Sequence, residues 1–146
     1  MKIGISACLA GDKVRYDGSD KKSRELLKIL KGHELVKICP ETAAGFPVPR
    51  EPMEIRDGKV CDLSGRDLTE KMNEGAFKCL EMIKECDLVI LKDRSPSCGL
   101  HQIYDGSFSG ELTDGNGVFA GLCLKSGIPV YSEDDIEEIR RKTAGT

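Results

Sequence analysis

Three short apolar runs recur along this chain with helical patterns between them, and that alternation narrows the possible folds more than any other feature. The runs are Lys2-Ile3-Gly4-Ile5-Ser6-Ala7-Cys8, Glu34-Leu35-Val36-Lys37-Ile38-Cys39 and Asp87-Leu88-Val89-Ile90-Leu91-Lys92, the last leading into Asp93-Arg94-Ser95-Pro96-Ser97-Cys98-Gly99. Runs of this length bounded by turn residues read as strands. Strands that alternate with helices pair in parallel, because a parallel connection needs a crossover. Parallel strands end on one edge of their sheet, where open α/β folds place ligands. Cys8, Cys39 and Cys98 would then converge on that edge.

At 146 residues the chain fits one domain, residues 1–146, able to bury about two-thirds of its unfolded surface. An apolar share of 39% beside a charged share of 32% suits a soluble protein. No window approaches the roughly 18 apolar residues of a membrane span. The start, Met1-Lys2-Ile3-Gly4-Ile5-Ser6, lacks the apolar core and cleavage site of a signal peptide. The expectation is a cytoplasmic protein with reduced thiols, and an odd count of seven cysteines suits a disulfide framework poorly. A net charge of −3 does not favour bulk nucleic acid as a partner. Lys21-Lys22-Ser23-Arg24 reads as a solvated helix face. Trp is absent, which argues against a single-strand stacking platform but leaves free bases and nucleotides open.

Between the strands, the spacing predicts a helix over Lys21 to Lys31, stopped by Gly32, with Leu26, Leu27, Ile29 and Leu30 apolar. Pro47, Pro49 and Pro52 exclude a long helix after Cys39. Met53–Ile55 and Lys59–Cys61 flank Asp57-Gly58 as a hairpin. Asp67 with Glu70 resembles a capping box for a helix running to about Cys86, its stripe Met72, Ala76, Phe77, Leu80 and Ile83. The glycine-rich segment Tyr104 to Gly117 reads as an irregular loop long enough to be functional. A helix over Val118 to Lys125, a strand over Ile128 to Tyr131 and a helix capped by Ser132 and Asp135, docked through Ile136 and Ile139, complete the chain. The expected class is α/β: a single-domain, Rossmann-like open sheet, mostly parallel, with helices on both faces.

Free cysteine is commonly a small buried hydrophobe, and Cys79, Cys86 and Cys123 sit among apolar helical neighbours in that manner. Cys61 is ambiguous. Cys8, Cys39 and Cys98 differ, because Gly11, Pro40 and Gly99 end or free the backbone close behind them. Three converging thiolates suit a metal or iron–sulfur site with one open position. Cys-x-x-Cys zinc pairs and the close-set cysteines of bacterial ferredoxins are missing. A Cys3His zinc site remains open, because His101 stands three residues past Cys98. Glu41, in Cys39-Pro40-Glu41, is either an exposed loop carboxylate or a general acid/base beside the metal. Ser95 and Ser97 either cap a turn or hydrogen-bond a ligand. Arg15 and Arg50 either bind a phosphate or carboxylate or tie loops together through carboxylates. Neither nucleotide-fold glycine signature is present.

Ile5-Ser6-Ala7-Cys8-Leu9-Ala10-Gly11 with Val14-Arg15-Tyr16-Asp17-Gly18 resembles the opening of the thiouracil desulfidase family. Cys39-Pro40-Glu41 with Gly45, Pro49-Arg50 and Pro52 resembles its second block, and Leu91-Lys92 through Ser95-Pro96-Ser97-Cys98-Gly99 its third. Tyr104-Asp105-Gly106, Gly110, Gly117-Val118 and Ile128-Pro129-Val130 resemble its closing blocks, in order along nearly the whole chain. The resemblance implies a 4Fe–4S cluster held by Cys8, Cys39 and Cys98 with one iron open to the sulfur of a thiolated pyrimidine, a base or a nucleotide. It implies non-redox replacement of that sulfur by water, with Glu41 as acid/base and Ser95 as the catalytic hydroxyl. Arg15, Ser97 and Arg50 are the expected substrate-binding residues. Two other readings stand beside it: a structural or hydrolytic zinc protein using His101, and a sulfur carrier without turnover.

Overall fold

The computed structural model describes residues 1–144. Strand β1 (Lys2–Ser6) leads through a tight turn at Ala7–Ala10 to helix α1 (Arg24–Ile29) and strand β2 (Glu34–Ile38). A short α2 (Pro40–Ala43) and the hairpin of β3 (Met53–Arg56) and β4 (Lys59–Asp62) precede α3 (Thr69–Met82). Strand β5 (Leu88–Leu91) opens towards a second hairpin, β6 (Gln102–Tyr104) and β7 (Leu112–Asp114). Helix α4 (Val118–Ser126), strand β8 (Val130–Ser132) and helix α5 (Ile136–Ala144) follow.

The main sheet runs β2-β1-β5-β8 and each of its pairings is parallel, as the alternation of runs and helices predicts. Strand β5 is an unbroken Leu-Val-Ile-Leu because it is buried on both faces. Leu88 and Ile90 join Ile3, Ile5, Leu26 and Ile139 on the side of α1 and α5. Val89 and Leu91 join Ala76, Cys79, Phe119 and Cys123 on the side of α3 and α4. The helices therefore cover both faces, and Cys79, Cys86 and Cys123 are core residues as expected.

Several local expectations shift. Helix α1 starts at Arg24, because the Ser23 hydroxyl caps it by accepting from the Leu26 N–H at 3.3 Å. Asp67 does not cap α3: its carboxylate accepts from the Thr69 N–H and hydroxyl in a turn just ahead of Leu68, the cap position. The buried stripe of α3 is Met72, Ala76, Cys79 and Ile83, and Phe77 is 57% exposed. Position 77 lies about 100° round the helix from Ala76, which turns it from the core. The helix ends at Met82, short of Cys86. The segment from Tyr104 to Gly117 is not wholly irregular, since β7 within it pairs with β6. All three β7 residues are exposed, so no apolar alternation announces the strand. The Asp57-Gly58 hairpin forms as expected. Ser132 does not cap α5: it ends β8, and its N–H donates to Asp135 (2.8 Å) while its Oγ accepts from Asp134 N–H (3.1 Å) in a turn ahead of Ile136, where the helix begins. Asp135, whose carbonyl accepts from the Ile139 N–H, holds the cap position instead.

Candidate functional site

The strand order reverses between β1 and β5, so the crevice beyond their carboxyl ends is where an open α/β sheet binds ligands. A cavity of about 480 Å³ opens there, lined by Cys8, Cys39, Cys98 and Glu41 among others. Each cysteine reaches it by a different device. Cys8 stands in the tight turn after β1, its carbonyl accepting from the N–H groups of Gly11 (3.2 Å) and Lys21 (3.0 Å). Cys39 is the cap position of α2, where Pro40 occupies the first turn and needs no donor. Cys98 follows β5 in a loop buttressed by α4: Gly117, Val118 and Phe119 N–H groups donate to the carbonyls of Gly99, Pro96 and Ser97 at 2.7 to 3.0 Å. A Cβ on Gly117 would lie 2.6 Å from the Ser97 carbonyl carbon, so only glycine lets helix and loop approach this closely.

Cys39 acts on both of the other two thiols. Burial, and then the neighbouring Cys39, push the Cys8 thiol up to about 11, while Lys92 and Arg15 oppose the rise. Burial raises Cys98 well above the usual thiol range, with Cys39 and Cys8 adding to it and the Ser6 and Ser97 hydroxyls opposing. Buried thiols that resist ionisation alone, as Cys8 and Cys98 do, are ones that a metal deprotonates as it binds. The donors are all soft thiols, which suits iron–sulfur chemistry.

His101 is the correction to the zinc reading. Its Nε2 meets Asp135 Oδ2 at 3.0 Å, its side chain is 52% exposed, and it does not line the cavity. The Asp135 hydrogen bond raises its pKa, against some opposition from burial. Among the described residues no three His, Cys, Asp or Glu side chains close on a single-ion position.

Glu41 sits in the first turn of α2 and lines the cavity, with its side chain 12% exposed. Arg50 Nε and Nη2 donate to Glu41 Oε1 at 3.1 and 3.0 Å, and the Ser97 hydroxyl donates to Glu41 Oε2 at 2.8 Å. Arg50 also donates to the carbonyls of Val14 (2.8 Å) and Pro47 (3.1 Å), so its guanidinium is committed to the chain. Ser97 has one hydroxyl proton and gives it to Glu41, so at the 2.9 Å Ser95–Ser97 contact Ser95 is the donor. Ser95 Oγ accepts in turn from the N–H groups of Ser97 (3.1 Å) and Cys98 (2.9 Å). The result is a chain of hydrogen bonds from the Cys98 loop to Glu41 and Arg50.

Arg15 reaches the cavity with little to hold it: a 3.5 Å contact to Ser19 Oγ and the Tyr16 ring at 5.7 Å. Lys21 and Arg94 line the same cavity, are exposed, and make no side-chain ion pair among the described residues. Arg94 was no candidate from sequence, nor was Lys92, whose ammonium bonds Glu133 at 2.9 Å while lining the cavity. A lysine closing an otherwise apolar buried strand was the available signal for Lys92. Asp93 was missed too: its Oδ1 accepts from the N–H groups of Arg94, Leu100, His101 and Gln102 at 2.9 to 3.2 Å, framing the cysteine loop.

The family profile described as 2-thiouracil desulfurase matches residues 3–135. An uncharacterized protein, YbbK, of Bacillus subtilis (strain 168) is 42% identical over 149 residues, covering 94% of this chain and 99% of that protein. A solved structure described as the 4Fe–4S-dependent thiouracil desulfidase TudS superposes with a TM-score of 0.91 at 37% identity, over 99% of both chains. The chain belongs to the 2-thiouracil desulfurase family.

Proposed function

We propose that this protein removes sulfur from thiouracil-type pyrimidines at a 4Fe–4S cluster held by Cys8, Cys39 and Cys98. The observation that carries the reading is the meeting of three soft thiols and an aimed carboxylate in one cavity at the reversal point of the sheet. Membership in the family and the 0.91 superposition on TudS support it. When bound, the cluster supplies a Lewis-acidic iron for the thiocarbonyl sulfur, which leaves the ring carbon open to water.

The remaining work falls to this chain. Glu41 takes a proton from the attacking water and returns it to the departing sulfur or the ring. Arg50 holds the Glu41 carboxylate in place and aimed, which makes it a positioning residue rather than the substrate contact that the sequence suggested. Ser97, between Glu41 Oε2 and the Cys98 sulfur at 3.7 Å, presents its hydroxyl at the reacting atoms. Ser95 acts through Ser97, since its own hydroxyl is already saturated within the loop. Arg15, with Lys21 and Arg94, takes an anionic group at the mouth, so the finer substrate is a thiolated nucleotide rather than the bare base.

Anaerobic reconstitution with iron and sulfide, followed by iron analysis and a 4-thiouracil-to-uracil assay, tests the reading. The expected result is about four irons per chain with turnover. Glu41→Gln should keep the iron and lose about 10²-fold or more of the rate. A lower KM for 4-thiouridine monophosphate than for 4-thiouracil, with the gap narrowing at high salt, is expected of the nucleotide. Iron uptake without turnover of either would move the substrate elsewhere, and absence of iron uptake would remove the cluster.

A further inference from the structure

The cavity that holds the cysteines is also lined by parts that the desulfidation chemistry leaves unused, Glu54 and Phe108. Glu54, on β3, is 9% exposed and no cation pairs with it among the described residues. A buried carboxylate without a counter-charge is costly unless its oxygens are hydrogen-bonded. Its Oε1 accepts from two N–H groups of the β6–β7 loop, Gly106 at 3.0 Å and Phe108 at 3.1 Å. The nearby strand residue Arg56 donates from Nε to the Gly106 carbonyl at 2.8 Å. Gly106 has φ +92 and approaches the strand so closely that a Cβ would lie 2.7 Å from Ile55 O. Charge and close packing thus latch the loop to the β3–β4 hairpin.

What the latch holds in place is Phe108. Its φ is +56, a backbone region that large side chains avoid and that persists where surrounding contacts over-determine it. Its ring is half-buried and lines the same cavity as the three cysteines. The cavity otherwise offers few planar apolar surfaces, Tyr16 and Tyr104 being the other aromatic residues on it. A planar heterocycle gains most from a flat ring already fixed in position, because no side-chain freedom is lost on stacking.

We propose that Phe108 is the stacking surface for the substrate's heterocycle, and that Glu54 is a positioning residue that fixes Phe108 through the loop backbone. The proposal rests on the reading that the cavity accepts a thiolated pyrimidine, and it adds the side chain that recognises the ring. It separates ring recognition from the chemistry: Phe108 affects binding, whereas Glu41 affects the rate. Glu54 needs only an oxygen acceptor for this task, so a carboxamide serves in its place.

The chain contains no tryptophan, so Phe108→Trp creates a single fluorescent reporter at the proposed surface. In cluster-loaded Phe108→Trp protein, stopped-flow mixing with 4-thiouracil should quench the emission saturably before turnover. Phe108→Ala should raise KM about tenfold or more with kcat within about twofold and unchanged iron content and cluster absorbance. Phe108→Tyr should restore KM. Glu54→Ala should reproduce the KM rise and Glu54→Gln should relieve it. Turnover by the wild type with no quenching in the Phe108→Trp protein, or with KM unchanged in Phe108→Ala, overturns the proposal while leaving the desulfidase reading intact. Saturable quenching without wild-type turnover keeps the stacking surface and rejects the desulfidase reading. Neither quenching nor turnover overturns both.

Discussion

Cys8, Cys39 and Cys98 are alike as residues yet are held by three unrelated backbone devices, a tight turn, a helix cap and a buttressed loop. Cys8→Ala, Cys39→Ala and Cys98→Ala should each abolish iron uptake on anaerobic reconstitution, and Cys79→Ala should not, because Cys79 is fully buried among apolar helix residues. Normal iron content in any of the first three would remove that residue from the ligand set. The Glu41–Arg50 pair carries a second prediction. Their side chains are 12% and 6% exposed, and breaking such a pair strands a buried charge. Arg50→Ala should cost about 3 kcal/mol in chemical denaturation, and the Glu41→Gln/Arg50→Met double variant should cost less. A loss below about 1 kcal/mol in Arg50→Ala would mean that the pair behaves as a solvated one. Glu41 was legible from its place beside Cys39-Pro40. Its bond to Ser97 was not, because that contact spans 56 positions and only the sheet brings them together.

At the scale of elements, the loop between β5 and β6 depends on one carboxylate. Burial works against ionisation of Asp93, but the N–H groups of His101, Gln102, Arg94 and Leu100 outweigh it and hold its pKa below the usual carboxylate range. The folded value lies below the unfolded one, so Asp93 adds stability above the ordinary carboxylate pKa. That stability is lost as pH falls through the folded value. Asp93→Asn should therefore lower Tm near neutrality and flatten its decline below about pH 4. An unchanged acid limb in the variant would show that Asp93 is not the group responsible. The strand–helix alternation was open to sequence reading, but neither predicted capping residue caps its helix: Ser132 ends β8 and bonds Asp134 and Asp135 in a turn before α5. Asp67 failed as a cap because the same carboxylate satisfies Thr69 in a local turn, an alternative that spacing cannot distinguish. Strand β7 escaped notice because an exposed three-residue strand carries no periodicity.

At the scale of the whole molecule, we infer that residues 1–146 behave as a single domain. Circular dichroism and the reactivity of the buried Cys79 and Cys123 thiols should then report one coincident unfolding transition. Only the folded chain brings Cys8, Cys39 and Cys98 to one cavity, so cluster loading should raise Tm by several degrees, and Cys39→Ala should abolish that rise. Two separated transitions, or a Tm indifferent to loading, would contradict this coupling. No helix among the described residues is long and apolar enough to cross a membrane. By itself the sequence determined the α/β class, the parallel strands, the cysteines at their ends and the carboxylate beside them, because period, turn residues and chain order are local properties. Tertiary structure alone decided that His101 turns away to Asp135, that Arg50 serves Glu41, and that a buried Glu54 presents Phe108 to the cavity. Those outcomes depend on which side chains meet across elements distant in the chain, and local spacing does not carry that information.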